Sequence, residues 1–296
     1  MHARAMAARR HGKKAITGMY AVALPSFGGR PGLRDNFFFT RLLAGVEDEI
    51  LDRDYELILS VYRPERLPRW LREGEVDGVI CLNWDVTFFQ TLQQKNLPFV
   101  TVQQIFPDAP GIATSEREGI CQVTTYLLGL GHKRLAYLGL SGDNAPRRRL
   151  LGFQDALRAA GIPLDSALVN VSHVFLEHGT QATRELLDAR RQGAHFTALV
   201  CHNDMLAMQA VRELERQGFR VPEDISVTGF DDLSAYHYFE PQLTGIAFDL
   251  EGMGRRAVQL LLESDQPGDT NENSEARHEN YPVTLAVRQS HAAPAS

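Results

Sequence analysis

The sequence contains few cysteines and no hydrophobic run long enough to cross a membrane. Three cysteines occur in 296 residues, and their positions match neither a metal site nor a disulfide framework. We therefore expect Cys81, Cys121 and Cys201 to be core residues in a reducing cytoplasm. No apolar stretch approaches the ~20 residues that a membrane-spanning helix needs. These absences argue against a disulfide-stapled secreted domain and against an integral membrane protein.

Motifs of the common enzyme classes are also missing. The sequence has no Gly-x-Gly-x-x-Gly fingerprint, no P-loop lysine, no nucleophile elbow and no His-Glu-x-x-His pair. Asp204 and Asp231 could form an acid–base pair, but carboxylates beside a neutral ligand are more simply hydrogen-bond acceptors. We predict no catalytic residue, no metal ligand and no cofactor.

Acidic residues are absent from the first 34 positions, although the whole chain has a formal net charge of −6. A basic arm on an acidic body suggests a local contact with a polyanion, and a solvated terminus explains the arm equally well. The apolar segment that follows the arm could pass for a signal peptide. It is short, and we interpret it as the first buried strand.

The most informative stretch covers residues 197–232. Ala198–Cys201 is a buried-strand pattern, Met205–Gln217 has helical apolar spacing, and Ile225–Gly229 is a second buried run. This order predicts a parallel strand pair with a right-handed crossover.

Polar residues follow both of these strands. Asn203 and Asp204 come after the first, and Asp231 and Asp232 after the second. Ligands of open α/β sheets bind at this edge. Each residue taken singly favours a helix cap or a turn over a ligand contact.

The stretch as a whole resembles the effector domain of the LacI/GalR family of bacterial transcription regulators. The family carries an Asn-Asp pair and a Val-Pro-Glu-Asp-Ile-Ser-Val-x-Gly-Phe-Asp-Asp segment, which match 203–204 and 221–232 here. The Gly-His segment around His132, which we expect to be structural, and the Arg-x-x-Gly-Phe-x-x-Ala-Leu helix at 149–157 also match. The resemblance covers residues 17–290.

The resemblance implies a set of effector-binding residues. Arg149 stands at the place of the family's effector-binding arginine, and its planar fork suits vicinal hydroxyls or a carboxylate. A surface salt bridge is the alternative role. Ser115 occupies the place of a family aspartate, which weakens any sugar assignment that depends on that carboxylate. The full predicted set is Phe37, Phe38, Trp84, Arg149, Asn203, Asp204 and Asp231.

Three members of this set are aromatic. Asn-Phe-Phe-Phe at 36–39 resembles the family's Asn-Pro-Phe-Phe, with Phe37 in place of the proline. Phe37 and Phe38 fit a core position or a stack on a ligand ring equally well. Trp84 follows a predicted strand and could cover a sugar face.

The basic arm resembles the family's hinge helix. Met6 would stand where a leucine wedges into the minor groove, and the predicted DNA contacts of this remnant are Arg4, Met6, Arg9 and Arg10. The family's helix-turn-helix would precede this arm and is missing from the sequence. We therefore expect the chain to bind effector but to bind operator DNA poorly.

The alternating pattern and the resemblance together imply an α/β fold of two doubly wound, Rossmann-like lobes, of the type I periplasmic-binding-protein kind, joined by three crossovers. The expected parts are a basic arm at 1–16, an N-terminal lobe at 17–114 plus 248–278, a C-terminal lobe at 115–247 plus 279–290, and a disordered tail at 291–296. The effector would bind in the cleft between the lobes and change their arrangement.

The predicted function is a cytoplasmic, homodimeric, effector-responsive transcription regulator, most simply a repressor, whose effector is a sugar-like or nucleoside-like metabolite. Operator DNA would be a partner if the full-length protein carries a helix-turn-helix. The alternatives are a solute-binding protein of a sugar transporter, which shares the fold, and an enzyme on the same scaffold. No signal peptide or lipobox supports the first alternative, and no catalytic motif supports the second.

Overall fold

The computed structural model describes residues 17–27, 30–31, 37–82, 85–142, 144–172, 178–264 and 277–294. Two compact units make up the chain. Unit 1 comprises Met1–Ala113 and Asp249–Tyr281, and unit 2 comprises Thr114–Phe248 and Pro282–Ser296. The chain therefore passes between the units three times.

Unit 1 contains a six-stranded sheet in the order β13-β7-β6-β5-β1-β4, in which β4, β1, β5, β6 and β7 run parallel. The strands of this sheet are β1 (Met19–Leu24), β4 (Glu56–Val61), β5 (Gly78–Cys81), β6 (Phe99–Val102), β7 (Gly111–Thr114, which ends one residue into unit 2) and β13 (His278–Tyr281). A separate antiparallel pair consists of β2 (Ser26–Phe27) and β3 (Arg30–Pro31). Its helices are α1 (Phe37–Leu51), α2 (Arg69–Glu73), α3 (Val86–Gln94) and α8 (Leu250–Ser264).

Unit 2 contains a second six-stranded sheet in the order β14-β12-β11-β10-β8-β9. All neighbours are parallel except β12 and β14, which are antiparallel. Its strands are β8 (Leu135–Leu140), β9 (Val169–Ser172), β10 (Ala198–Cys201), β11 (Ser226–Asp231), β12 (Thr244–Ala247) and β14 (Thr284–Ala286). Its helices are α4 (Glu116–Gly129), α5 (Ala145–Ala159), α6 (His178–Arg191) and α7 (Asp204–Arg216), with 3-10 turns at Ser166–Leu168 and Ser234–Tyr238.

Burial explains why the central strands of both sheets have continuous apolar sequences. Every residue of β5, β6, β10 and β11 is buried, as expected for parallel strands covered on both faces. The predicted α/β fold of two doubly wound lobes is confirmed, and so is the strand–helix–strand reading of 197–232. Among the described residues, no helix is long and apolar enough to span a bilayer.

The C-terminal segment differs from its prediction in two ways. His278–Tyr281 forms β13 in the sheet of unit 1, so this unit continues to Tyr281, whereas we expected its lobe to end at residue 278. His291 and Ala292 are not disordered, because His291 bonds to Tyr126 (2.8 Å) and the carbonyl of Ala292 accepts a hydrogen bond from Ser226 (3.1 Å). The sequence of the C-terminal segment did not indicate these contacts, because the partner residues are distant in sequence.

His132 takes part in this anchoring. Its Nδ1 lies 2.8 Å from Thr197 Oγ1, and its Nε2 lies 2.9 Å from the carbonyl of Ala292. The side chain is buried, and its burial lowers the pKa of the imidazole. The structural role expected for this histidine follows from these contacts.

Candidate functional site

A cluster of polar side chains lies at the carboxyl ends of the central strands of unit 2. The strand β10 ends at Cys201 and is followed by His202, Asn203 and Asp204, while β11 ends at Asp231. The two strands are paired in parallel, so their carboxyl ends share one edge of the sheet. All four polar residues are buried.

Arg149 enters this cluster from α5. The helix can approach α4 closely because residue 152 is glycine: a Cβ there would lie 2.2 Å from the carbonyl oxygen of Arg117. Arg149 is only 4 % exposed, an unusual burial for an arginine. The close helix crossing thus places a guanidinium in the interior of unit 2.

The guanidinium of Arg149 is held on several sides. Its Nε donates to Glu116, its Nη1 donates to the carbonyl of His202, and its Nη2 lies 3.4 Å from Asp231 Oδ1. Its plane covers the ring of Phe230, with the central carbon 3.7 Å from the ring centroid. Partners among the described residues occupy three of its five N–H groups and leave one N–H on each terminal nitrogen.

Glu116 is a member of the cluster that the sequence analysis missed. It is the first residue of α4, where a negative charge is favoured, and it is 1 % exposed. Its Oε1 accepts a hydrogen bond from Thr114 Oγ1 at 2.7 Å, while its Oε2 faces Arg149. The available signal was a carboxylate at the start of a helix, directly after the position where the aspartate was expected.

Asn203 and Asp204 have structural contacts of the kind that their residue types suggest. Asn203 caps α7 by accepting a hydrogen bond from the Leu206 amide at 3.0 Å. Asp204 Oδ2 accepts from the Leu233 amide at 2.8 Å and so fastens the turn that follows β11. An effector contact by either residue stays a prediction.

The backbone at the end of β11 adopts a rare conformation. Asp231 and Asp232 have φ angles of 108° and 53°. Such angles cost on the order of 1–3 kcal/mol for a residue other than glycine and occur preferentially at functional sites. Arg288 holds Asp232 at 2.7 Å, with His237 at 2.8 Å from the same oxygen.

Burial changes the acidity of the groups in the cluster. It raises the pKa of Asp231 from 3.8 to about 7, because the loss of water outweighs the attraction of Arg149, and Glu116 adds to the rise. Burial, with the charge of Asp231, raises the pKa of Asp204 well above its usual range. Burial and the neighbouring Arg149 lower the pKa of His202, so this imidazole is neutral at pH 7.

The other predicted site residues lie in unit 1 or outside the described residues. Phe37 and Phe38 begin α1 in unit 1, where Phe37 is 49 % exposed and Phe38 packs edge-on against Phe39. Trp84 and the predicted DNA contacts Arg4, Met6, Arg9 and Arg10 lie outside the described residues.

Unit 1 has polar residues of its own at a strand end. Gln103 and Gln104 follow β6 and are buried, and Gln103 has a φ of 62°. The Oε1 atom of Gln104 has no hydrogen-bond partner among the described residues. These two residues were not predicted as site residues, because glutamine at the end of a strand is an unspecific signal.

Neither metal binding nor nucleophilic catalysis is indicated by this geometry. Within the described ranges, no group of three His, Cys, Asp or Glu residues is arranged to hold a metal ion. The cluster instead presents N–H donors, carboxyl oxygens and an aromatic ring, which is the donor and acceptor set that recognises hydroxyl and amide groups.

Comparisons with known proteins give the family. A model of the periplasmic binding protein-like domain matches residues 124–291. The HTH-type transcriptional repressor PurR of Photobacterium profundum is 30 % identical over 267 residues, which cover 86 % of this chain and 78 % of the repressor. The chain belongs to the LacI/GalR family of transcription regulators.

Two solved structures of this family resemble the chain closely. The complex of the regulator CelR with cellobiose has a TM-score of 0.82 and 29 % identity, and covers 93 % of this chain and 85 % of its own. A LacI-family regulator from Enterococcus faecium with bound ribose has a TM-score of 0.78 and 28 % identity, and covers 93 % and 99 %. The likeness thus extends to regulators that bind small sugars.

The LacI-type pattern and the geometry differ at one informative point. Ser115, at the expected aspartate position, lies before α4, and its side chain makes no capping hydrogen bond. Glu116 supplies a carboxylate one residue later and directs it to Arg149. The carboxylate is therefore present in unit 2, but it is engaged with the arginine.

Proposed function

We propose that this LacI-type chain is the effector-binding part of a transcriptional repressor and that the Arg149 cluster of unit 2 contributes to recognition of a sugar-like or nucleoside-like effector. The observation that carries the proposal is the fixed guanidinium. Arg149 is oriented by Glu116, His202 and Asp231, and it keeps one N–H on each terminal nitrogen for an added acceptor.

The groups around the arginine suit a polyhydroxyl compound. Asp231 offers carboxyl oxygens beside the remaining N–H donors of Arg149, and Asn203 follows the neighbouring strand. Adjacent donors and acceptors of this kind bind vicinal hydroxyls, each of which both donates and accepts. The named ligands of the two similar structures, cellobiose and ribose, support the same class.

We further propose that the protein is a regulator without catalytic turnover, that it works as a homodimer in the cytoplasm, and that operator DNA is its second partner. The similar curated proteins are named transcription regulators, which supports the first and last points. Asp204, the candidate partner of Asp231 in acid–base chemistry, has one carboxyl oxygen engaged by the Leu233 amide, which supports a structural role.

Calorimetry with a panel of neutral sugars and nucleosides, including cellobiose and ribose, tests the effector class. Once a ligand is found, Arg149→Lys keeps the charge but loses the planar fork, so we expect affinity to fall at least about tenfold. The exposed neighbour Arg147 gives the matched control, Arg147→Lys, for which affinity should be unchanged.

Circular dichroism establishes that both variants are folded before titration. Unchanged affinity in a folded Arg149→Lys variant would refute the role of Arg149. Chemical conversion of the bound ligand, detected by chromatography, would refute the proposal that this regulator has no catalytic turnover. Sedimentation velocity tests the homodimer, and a monomer at micromolar concentration would count against it.

A further inference from the structure

The Arg149 cluster contains more negative than positive charge. Glu116, Asp204 and Asp231 are each at least 94 % buried, and Arg149 is the cation that faces Glu116 and Asp231. With all groups in their usual charge states, three carboxylates would oppose one guanidinium. Such an excess of buried negative charge is energetically unfavourable inside a protein.

The neighbouring charges do not remove this excess. Asp232 accompanies Asp231 in sequence, but its carboxylate is paired with Arg288 at 2.7 Å and with His237 at 2.8 Å. Arg288 therefore has a carboxylate of its own, although it lies close enough to Asp204 to moderate the pKa of that group. His202 is neutral at pH 7, because burial and Arg149 lower its pKa.

Retained protons resolve the excess. Burial raises the pKa of Asp231 to about 7 and that of Asp204 well above its usual range. Glu116 and Arg149 then form a neutral pair, burial favours the protonated form of Asp204, and Asp231 is divided between its acid and its carboxylate near pH 7. Titration of Asp231 therefore changes the charge of the cluster by one near neutral pH.

A second feature marks the cluster as a place for ligand groups. The hydroxyl of Tyr137 is fully buried and has no hydrogen-bond partner among the described residues, and the charges of Arg149 and Glu116 act on it. The Nδ1 atom of His202 is likewise buried without a partner. Buried polar atoms in native proteins are usually satisfied, so these two atoms indicate polar partners supplied from outside the protein.

We propose that Glu116 determines the charge of the effector, so that this site accepts a neutral or cationic polyhydroxyl compound, such as a sugar or an amino sugar, and rejects a phosphorylated or carboxylated one. This inference rests on the proposed effector-binding function of the same residues. Glu116 neutralises the one buried guanidinium and adds a negative charge near Asp231. A phosphate at the free N–H groups of Arg149 would meet two carboxyl groups in a medium of low dielectric constant.

Glu116 is a positioning residue in this proposal, because it acts through Arg149 and Asp231. The isosteric change Glu116→Gln keeps an acceptor for Arg149 Nε and removes the charge. The guanidinium should then be available to an anion, and Asp231 should lose its proton more readily. A merely structural role of Glu116 predicts neither change.

The first test needs no effector. In protein labelled with ¹³C at the aspartate carboxyl carbons, one resonance should titrate near pH 7 and disappear in Asp231→Asn. It should titrate at lower pH in Glu116→Gln and stay in place in Glu118→Gln, the control at an exposed position of the same helix turn. Titration of Asp231 at the same pH in wild type and Glu116→Gln would overturn the proposal.

The second test compares matched ligands by calorimetry: glucose, glucosamine and glucose 6-phosphate, then ribose and ribose 5-phosphate. Wild type should bind the neutral or cationic member at least about tenfold more tightly than the phosphate, since like charges repel strongly in a medium of low dielectric constant. Glu116→Gln should narrow this ratio, and Glu118→Gln should not. Equal or tighter binding of the phosphates by wild type would refute the inference.

The two proposals fail separately. If no neutral or amino sugar or nucleoside binds, the proposed effector class is wrong, while the carboxyl titration still decides whether Glu116 sets the charge of the cluster. If a neutral sugar binds but its phosphate binds as tightly, the effector class stands and the role of Glu116 is wrong.

Discussion

Two arginine-centred clusters, one in each unit, show how burial changes what the same ion pairs can do. In unit 1, Arg256 on α8 pairs with Glu263 on the same helix and with Glu279 on β13, and Arg277 contacts both glutamates. In unit 2, Arg149 pairs with Glu116 and Asp231. The side chain of Arg256 is 22 % exposed, whereas that of Arg149 is 5 % exposed.

The two clusters differ in their access to solvent. The cluster of unit 1 has two arginines and two glutamates at the surface, so charges balance and solvent screens them. The cluster of unit 2 has an excess of carboxylates and little solvent, so the charge of each member depends on its neighbours. The first cluster fastens β13 to α8, whereas in the second the pKa of one carboxyl depends on the charges of the others.

The largest expected effect is the loss of the buried cation. Arg149→Ala leaves Glu116 and Asp231 facing each other without a guanidinium, which should lower the free energy of unfolding by about 3–5 kcal/mol. Urea denaturation at pH 7 measures this loss. A double variant, Arg149→Met with Glu116→Gln, should recover part of it, because fewer unpaired charges are then buried. A loss below 1 kcal/mol in Arg149→Ala would show that the cluster is not held by its ion pairs.

The next effect concerns the helix crossing that carries Arg149 into the interior. A Cβ in Gly152→Ala would overlap the carbonyl of Arg117 on α4, so we expect a loss of roughly 1–3 kcal/mol and weaker effector binding. Gly129 has open space around it, and Gly129→Ala should stabilise α4 by up to about 1 kcal/mol. Thermal unfolding distinguishes the two, and equal effects would contradict the close-approach argument.

Asp231 should contribute to the pH dependence of the free energy of unfolding. An aspartate has an ordinary pKa of 3.8, which applies to the unfolded chain, and the pKa of Asp231 in the folded protein is about 7. Between these values the folded state holds a proton that the unfolded state has released. Stability from this group is present below pH 4 and is lost as pH rises towards 7, with a slope of at most about 1.4 kcal/mol per pH unit.

Denaturation at a series of pH values, for wild type and Asp231→Asn, isolates this contribution. The difference between the two curves should change between about pH 4 and 7 and stay constant above pH 8. A constant difference across the whole range would mean that Asp231 is an ordinary carboxylate.

The smallest effect is expected at the surface cluster. Arg256→Ala removes pairs that solvent already screens, so it should lower the free energy of unfolding by about 0–1 kcal/mol, and added salt should reduce the loss further. Urea denaturation at low and high salt measures it. A loss as large as that of Arg149→Ala would abolish the contrast between the two clusters.

Local patterns predicted much of this molecule because each depends on neighbouring residues. The run Ala198–Cys201 has the length and composition of a buried parallel strand, and the helix after it has an apolar stripe that needs no distant partner to be recognised. The family resemblance of the Arg-x-x-Gly-Phe helix implied that Arg149 binds effector, and this role stays a prediction. The capping contact of Asn203 follows from its place at the start of a helix.

Other features could not be predicted from local patterns. Glu116 is 33 positions from Arg149 in sequence, and an acidic residue in the first turn of a helix is ordinarily exposed. The strand β13 is polar and short, and it is a strand because it pairs at the edge of the sheet of unit 1. Contacts with residues distant in sequence determine both the burial of Glu116 and the strand conformation of β13.

The sequence by itself determined the α/β alternation, the family and the polar residues that follow β10 and β11, because spacing along the chain encodes these properties. Tertiary structure alone decided the charge of the site. It brings α4, α5 and the ends of two strands to one place without water, and there the proton of Asp231 depends on Glu116, Arg149 and the loss of solvent. Acidity is a property of surroundings, and a sequence lists residues without their surroundings.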